Sequence, residues 1–107
     1  MPTDALRVFF LGFVKIHVLY HCGRRPFYGQ ELKEELAEHG YSVSYGTLYP
    51  LLHGLCEQGF LERTARTVNG KLRKYYTLTP QGRGLLEEAK EKIVELVDEV
   101  LVGGKTE

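Results

Sequence analysis

Ser44-Tyr45-Gly46-Thr47-Leu48-Tyr49-Pro50-Leu51-Leu52, continued by Leu55 and closed by Gly59, is the stretch that decides the fold. Leu48, Leu51, Leu52 and Leu55 recur at i, i+3, i+4 and i+7, which is one face of a helix. Ser44 is a good N-cap for it, and the helix should run to about Gln58. Pro50 falls early in this helix and is expected to bend its start. Upstream, Tyr28 to His39 reads as a second helix with Leu32, Leu36 and Ala37 on its apolar stripe. Gly40 stands in its C′ position, and Tyr41 to Val43 form a short extended connection. Downstream, Phe60 to Val68 and Lys71 to Leu78 read as strands. Asn69-Gly70 between them predicts a type I′ hairpin. That loop pairs Val68 with Lys71 and puts Leu61, Ala65, Leu72, Tyr76 and Leu78 on one face. On the other face Arg66 comes directly opposite Arg73, a mildly destabilising pairing unless an anion sits between them. A phosphate would answer that need.

The flanking segments are helical too. Asp4 can cap a helix to about Cys22, and its apolar residues, from Val8 through Phe10 and Phe13 to Tyr20, cover nearly the whole circumference. Such a helix must be buried on more than one side. A domain of this size has trouble covering it alone, so part of it is expected to meet another subunit. Gly23 to Pro26 breaks the chain. Thr79 and Pro80 are N-cap and N1 of a last helix, expected to reach about Val102 and stop at Gly103-Gly104. Its Leu86, Ala89, Ile93, Leu96 and Val100 step by 3, 4, 3 and 4, the a/d spacing of a coiled-coil seam.

Composition narrows the class. The 107 residues suit one structural domain, with 1–79 holding the first three helices and the hairpin and 80–107 the last helix. Apolar residues are 43% and charged residues 26%, close to the globular norm. The longest mostly apolar run, Val8 to Tyr20, is interrupted by Lys15 and His17 and falls short of the ~20 residues that cross a bilayer. Asp4 stands where a leader would carry positive charge. A cytoplasmic protein without a membrane partner is therefore expected. Fourteen basic and fourteen acidic residues cancel, but unevenly. Arg63, Arg66, Lys71, Arg73 and Lys74 form a run without an acid, whereas Glu87 to Glu99 is mostly acidic. One segment can face an anion while the other faces water.

Three helices, a two-stranded hairpin and a final helix are the order of a winged helix-turn-helix, mainly α with a small β-hairpin. The chain resembles the PadR-type transcriptional regulators, specifically the short subgroup with a single helix after the wing. Tyr28-Gly29, the Ser44 to Leu52 stretch, Glu57-Gln58-Gly59-Phe60-Leu61, Arg73-Lys74-Tyr75-Tyr76-Thr77-Leu78-Thr79 and Gly82 carry the resemblance. It implies a homodimer built by the first and last helices, with Phe10, Phe13, Leu86, Ala89, Ile93, Leu96 and Val100 as the interface. It also implies that Thr47 and Tyr49 touch the backbone of double-stranded DNA. Some such regulators hold a planar aromatic effector with tryptophan; this chain has none, so the identity of any small-molecule effector stays open.

The residues themselves support a DNA surface of Ser44, Tyr45, Thr47 and Tyr49 from the third helix and Arg66, Lys71, Arg73 and Lys74 from the wing. Hydroxyls donate to phosphate and base edges but discriminate weakly. Each feature also has an ordinary reading: Tyr45 and Tyr49 as packing residues, the wing bases as a solvated strand. The third helix carries no Lys or Arg, which suits a winged-helix protein-interaction adaptor as an alternative to a repressor on a pseudo-palindromic operator. His17 and His21 lie at i, i+4 beside Cys22, and His53 and Cys56 at i, i+3, spacings at which two side chains can share a metal. Neither set offers three ligands with a neighbouring carboxylate, so the expectation is no metal and no cofactor, with interface histidines and core cysteines. No Gly-x-Ser-x-Gly, P-loop or His-Glu-x-x-His is present, and no enzymatic activity is expected.

Overall fold

The first helix is the hub. A computed structural model describes residues 4–103, so Gly104 of the expected helix stop lies outside the described residues. Helix α1 spans Asp4–Arg24, two residues past the expected end. Val14, Val18, Leu19 and Cys22 line its inner face and join Leu32 and Leu36 of α2 (Gly29–Glu38) and Leu48, Leu52 and Leu55 of α3 (Tyr45–Glu57) in one core. By length and composition alone α1 is sufficient to cross a membrane, contrary to the short apolar run read from the sequence. Its inner face is instead committed to this core. Phe9 and Phe13 on its other side are about half exposed or more.

Local chemistry sets the element ends. The Ser44 hydroxyl accepts a hydrogen bond from the Thr47 N–H (3.2 Å), the capping contact read from the sequence. Helix α3 then runs through Pro50 to Glu57 as a single element. The Glu31 carboxylate accepts from the Tyr28 N–H (3.2 Å) and closes the start of α2. The turn Asn69-Gly70 has φ of 52° and 78°, the left-handed pair that a type I′ turn requires.

The hairpin joins β2 (Leu61–Val68) to β3 (Lys71–Leu78) in the expected register, Val68 opposite Lys71 and Arg66 opposite Arg73. One strand escaped the sequence reading. Phe27–Tyr28, expected partly as loop and partly as helix, forms β1 and pairs with β3, giving the antiparallel order β1-β3-β2. Two residues carry too little periodicity to announce a strand; the free edge of β3 creates this one. Of the apolar hairpin face, Leu61 and Tyr76 at the base are buried, whereas Leu72 near the tip is 66% exposed.

Helix α4 (Pro80–Leu96) starts under the sheet. The Thr79 hydroxyl donates to the Gly59 carbonyl (2.6 Å) and accepts from the Gly82 N–H (2.9 Å). Gly82 is pressed against the Phe60 carbonyl and Leu78, leaving no room for a Cβ. Leu86 is buried in the core; from Glu87 onward α4 buries nothing. Leu86, expected in an intersubunit seam, thus already has its partners within its own chain. The expected continuous α-helix to Val102 also differs: Val97–Leu101 widens into a π turn, the Val102 N–H bonding the Val97 carbonyl (3.1 Å). The projecting helix stretches the molecule to a radius of gyration of 15.5 Å, against about 13 Å for a compact chain this long.

Gly82→Ala should destabilise the fold by about 1–3 kcal/mol through overpacking at the β2–α4 junction, read as a lower urea midpoint with unchanged slope.

Candidate nucleic-acid interface

Opposed arginines are the feature that most needs explaining. On the outer face of the hairpin the Arg66 guanidinium lies over the Tyr75 ring (4.6 Å) and that of Arg73 over the Tyr28 ring (4.4 Å). Tyr28 and Tyr75 meet edge to face at 5.5 Å. An opposed like-charge pair costs about 0.2–1 kcal/mol. Two exposed cation–π contacts return about 0.5–1 kcal/mol each. The tyrosines therefore offset the repulsion without the phosphate that the strand pairing alone pointed to. They also hold each guanidinium group against a ring face.

The inner face carries a second set of bases. Arg63 sits opposite Tyr76, whose hydroxyl it hydrogen-bonds; burial raises the Tyr76 pKa and Arg63 works against that rise. Between this hairpin and α3 lies a groove of about 530 Å³, lined by Tyr45, Tyr49, Arg63, Lys71, Arg73 and Lys74 among others, with no acid in its lining. Tyr45 and Tyr49 stack at 5.6 Å and are both more than two-fifths exposed, so they face the groove and not the core. The Tyr49 hydroxyl lies directly over Gly29, where any Cβ would displace it. Ser44 and Thr47 are joined by their hydroxyls (3.3 Å) at the exposed start of α3.

The fold thus gathers Tyr45, Tyr49, Lys71, Arg73 and Lys74 around one groove, sets Ser44 and Thr47 at the head of α3, and leaves Arg66 on the outer wing face. It adds residues that the sequence reading left out of the site: Arg63 and Tyr28 in the groove, and Lys33 of α2, whose ammonium lies 5.4 Å from the Tyr45 ring. Lys33 supplies the positive charge that α3 itself lacks. Only helix packing brings it there; no spacing in the sequence reveals it.

The histidine and cysteine candidates separate. Cys22 is buried, and burial, with Cys56 adding to it, pushes its thiol up to about 12. His53 pairs with Glu57 at 3.3 Å on the surface. His17 and His21 meet His39 and Glu35 of α2 instead of Cys22. The pKa values of His17 and His21 are lowered, chiefly by burial. The charge of His39 lowers both further, Arg24 also lowers His21, and Glu35 opposes the shift in both.

A helix pair with its second member at the groove, followed by a basic hairpin, defines a winged-helix DNA-binding protein. The profile of the PadR-like family of transcriptional regulators matches residues 18–88. The transcriptional regulator Rv3488 of Mycobacterium tuberculosis is 43% identical over 98 residues, 92% of each chain. The crystal structure of a PadR family regulator from Eggerthella lenta superposes with a TM-score of 0.82 at 33% identity, over 97% of this chain and 92% of that one. A PadR-like regulator from Bacillus cereus gives 0.74 at 34% identity, over 88% and 95%. The chain belongs to the PadR-like family of transcriptional regulators.

Because the folded protein holds His17 and His21 less basic than the unfolded chain does, the unfolded state binds more protons just below pH 6.5. Their contribution is complete above that pH and is lost as pH falls through this window. Urea midpoints should drop between pH 7.5 and 5.5, and the drop should be smaller in His17→Gln.

Proposed function

We propose that the chain is a homodimeric, sequence-specific repressor that binds a pseudo-palindromic operator. The observation that carries this reading is the acid-free groove between α3 and the wing, where two stacked tyrosines face four bases. Its lining of bases and tyrosine hydroxyls suits the anionic backbone of DNA. Ser44 and Thr47 stand at the N-terminal end of α3, the end by which recognition helices approach base edges. Arg66 and Arg73, braced by tyrosine rings, supply sequence-independent grip on phosphates, and Lys71 and Lys74 extend it. Binding of this kind requires no chemistry from the protein. Its DNA partner sets its place of work in the cytoplasm, and occupancy of a promoter excludes polymerase.

The uncovered apolar surface supports the dimer. Phe9 and Phe13 on α1, Ile93 and Leu96 at the far end of α4, and Val97 just past it are all exposed among the described residues. Burying such a stripe against a second copy about a two-fold axis leaves two α3 helices related by that axis. Half-sites about 34–36 Å apart, one helical turn, or a multiple of this are the geometric consequence of that symmetry. Ile93→Asp or Leu96→Asp would bury an unpaired charge in that interface at a cost of several kcal/mol. Light scattering should show a wild-type dimer at micromolar concentration and a monomer for either variant. A wild-type monomer would contradict the proposed assembly.

DNA binding is tested with a duplex selected from a random library, by anisotropy at several salt concentrations. Each phosphate contact contributes about 0.9 to the slope of log K against log salt. Arg73→Ala removes two contacts per dimer, so the slope should fall by about 1.8. Thr47→Ala and Tyr49→Phe remove uncharged hydrogen bonds and should weaken binding at nearly constant slope. A folded Arg73→Ala variant with affinity and slope intact would favour the adaptor reading, to which the neutral net charge lends its weight.

A further inference from the structure

Between α1 and the end of α2, three imidazoles converge. His17 and His21 stand one turn apart on α1, and His39 lies just past the end of α2. One ligand nitrogen from each lies within 4.8 Å of the others. Glu35, one turn before His39, directs its Oε2 toward the same place, 3.8 Å from His21 Nε2 and 3.4 Å from His39 Nε2. His21 is only 8% exposed, and among the described residues its buried Nε2 has no hydrogen-bond partner. A buried imidazole nitrogen without a partner costs free energy, and native proteins seldom leave one so.

We propose that His17, His21 and His39, with the Glu35 carboxylate, form a binding site for one transition-metal ion of the zinc class. Three imidazole nitrogens and a carboxylate oxygen are a donor set that suits zinc, cobalt or nickel and not magnesium or calcium. Zinc–nitrogen bonds of about 2.0–2.1 Å set tetrahedral ligands about 3.4 Å apart. The nitrogens, at most 4.8 Å apart, need close by little more than an ångström. His39 is exposed at a helix end and has the freedom to make that movement. A cleft of about 740 Å³, lined by Tyr20, Arg24, Arg25 and the four ligands, gives an ion its path in. The positive charges at its mouth are engaged: Arg25 pairs with Glu31 at 3.2 Å and Arg24 donates to the Tyr20 hydroxyl at 3.0 Å. A bound ion would give His21 Nε2 its missing partner. It would also tie α1, with its uncovered apolar face, to α2.

The test uses the full chain stripped of metal by chelator dialysis. Calorimetric titration with zinc chloride at pH 7.5 should give one ion per chain, and saturating zinc should raise the melting temperature. Cobalt chloride should produce the visible band of tetrahedral cobalt without a thiolate charge-transfer band. His39→Ala, chosen because the exposed residue is not needed for folding, should weaken zinc by more than the roughly 10–100-fold typical of losing a ligand's hydrogen-bonding partner. Cys22→Ala should bind zinc as the wild type does. Absence of binding, affinity unchanged in His39→Ala, or a thiolate band would each overturn the proposal. None of these readouts involves DNA, so the result stands apart from the regulator reading.

Discussion

The structure depends on how one apolar helix is shared out. Helix α1 is apolar around most of its circumference, but the described residues bury only one side of it. Val14 and Val18 are wholly buried against the stripes of α2 and α3, and this contact anchors the helix pair that carries the recognition surface. The opposite side, with Phe9 and Phe13, is exposed in the protomer and is where the proposed second subunit would pack. The boundary between the two sides is where His17 and His21 fall, half committed to the core and half to a cleft. Core, proposed dimer surface and proposed metal site are thus three consequences of one helix with more apolar surface than the protomer can cover.

The wing shows how a charged surface is kept ready. Arg66 and Arg73 are opposed across the hairpin, a placement that ought to destabilise it. Tyr75 and Tyr28 accept the two guanidinium groups on their ring faces and compensate within about 1 kcal/mol. A guanidinium already stacked has lost much of its freedom, so less ordering remains when it meets a phosphate. Tyr28 can serve in this only because the two-residue β1 joins β3 and sets its ring beside Tyr75. A minor strand is therefore what completes the basic face. Neutral net charge is no obstacle, since Arg63, Arg66, Lys71, Arg73 and Lys74 cluster on the wing while six of the fourteen acids fall between Glu87 and Glu99.

Short-range chemistry was legible in the sequence. Asn69-Gly70 demands left-handed backbone that few other residues adopt, so the hairpin, its register and the Arg66–Arg73 opposition were set by local sterics. Ser44 and Thr79 cap their helices through side chains three residues from the N–H groups they serve, and leucine spacing marked the face of α3. The family was legible for the same reason, since its motifs are these turns and caps. Contacts between distant segments were not. Lys33 reaches Tyr45 because α2 packs on α3, and Glu35 and His39 complete a cluster begun by His17 and His21, away from Cys22, because α2 packs on α1. Leu86 joined the core although its heptad spacing placed it in a seam, because α4 begins under the sheet and only its far end is free. Periodicity reports which face of an element is apolar; what covers that face is a property of the whole chain, decided when the elements compete for the same buried space.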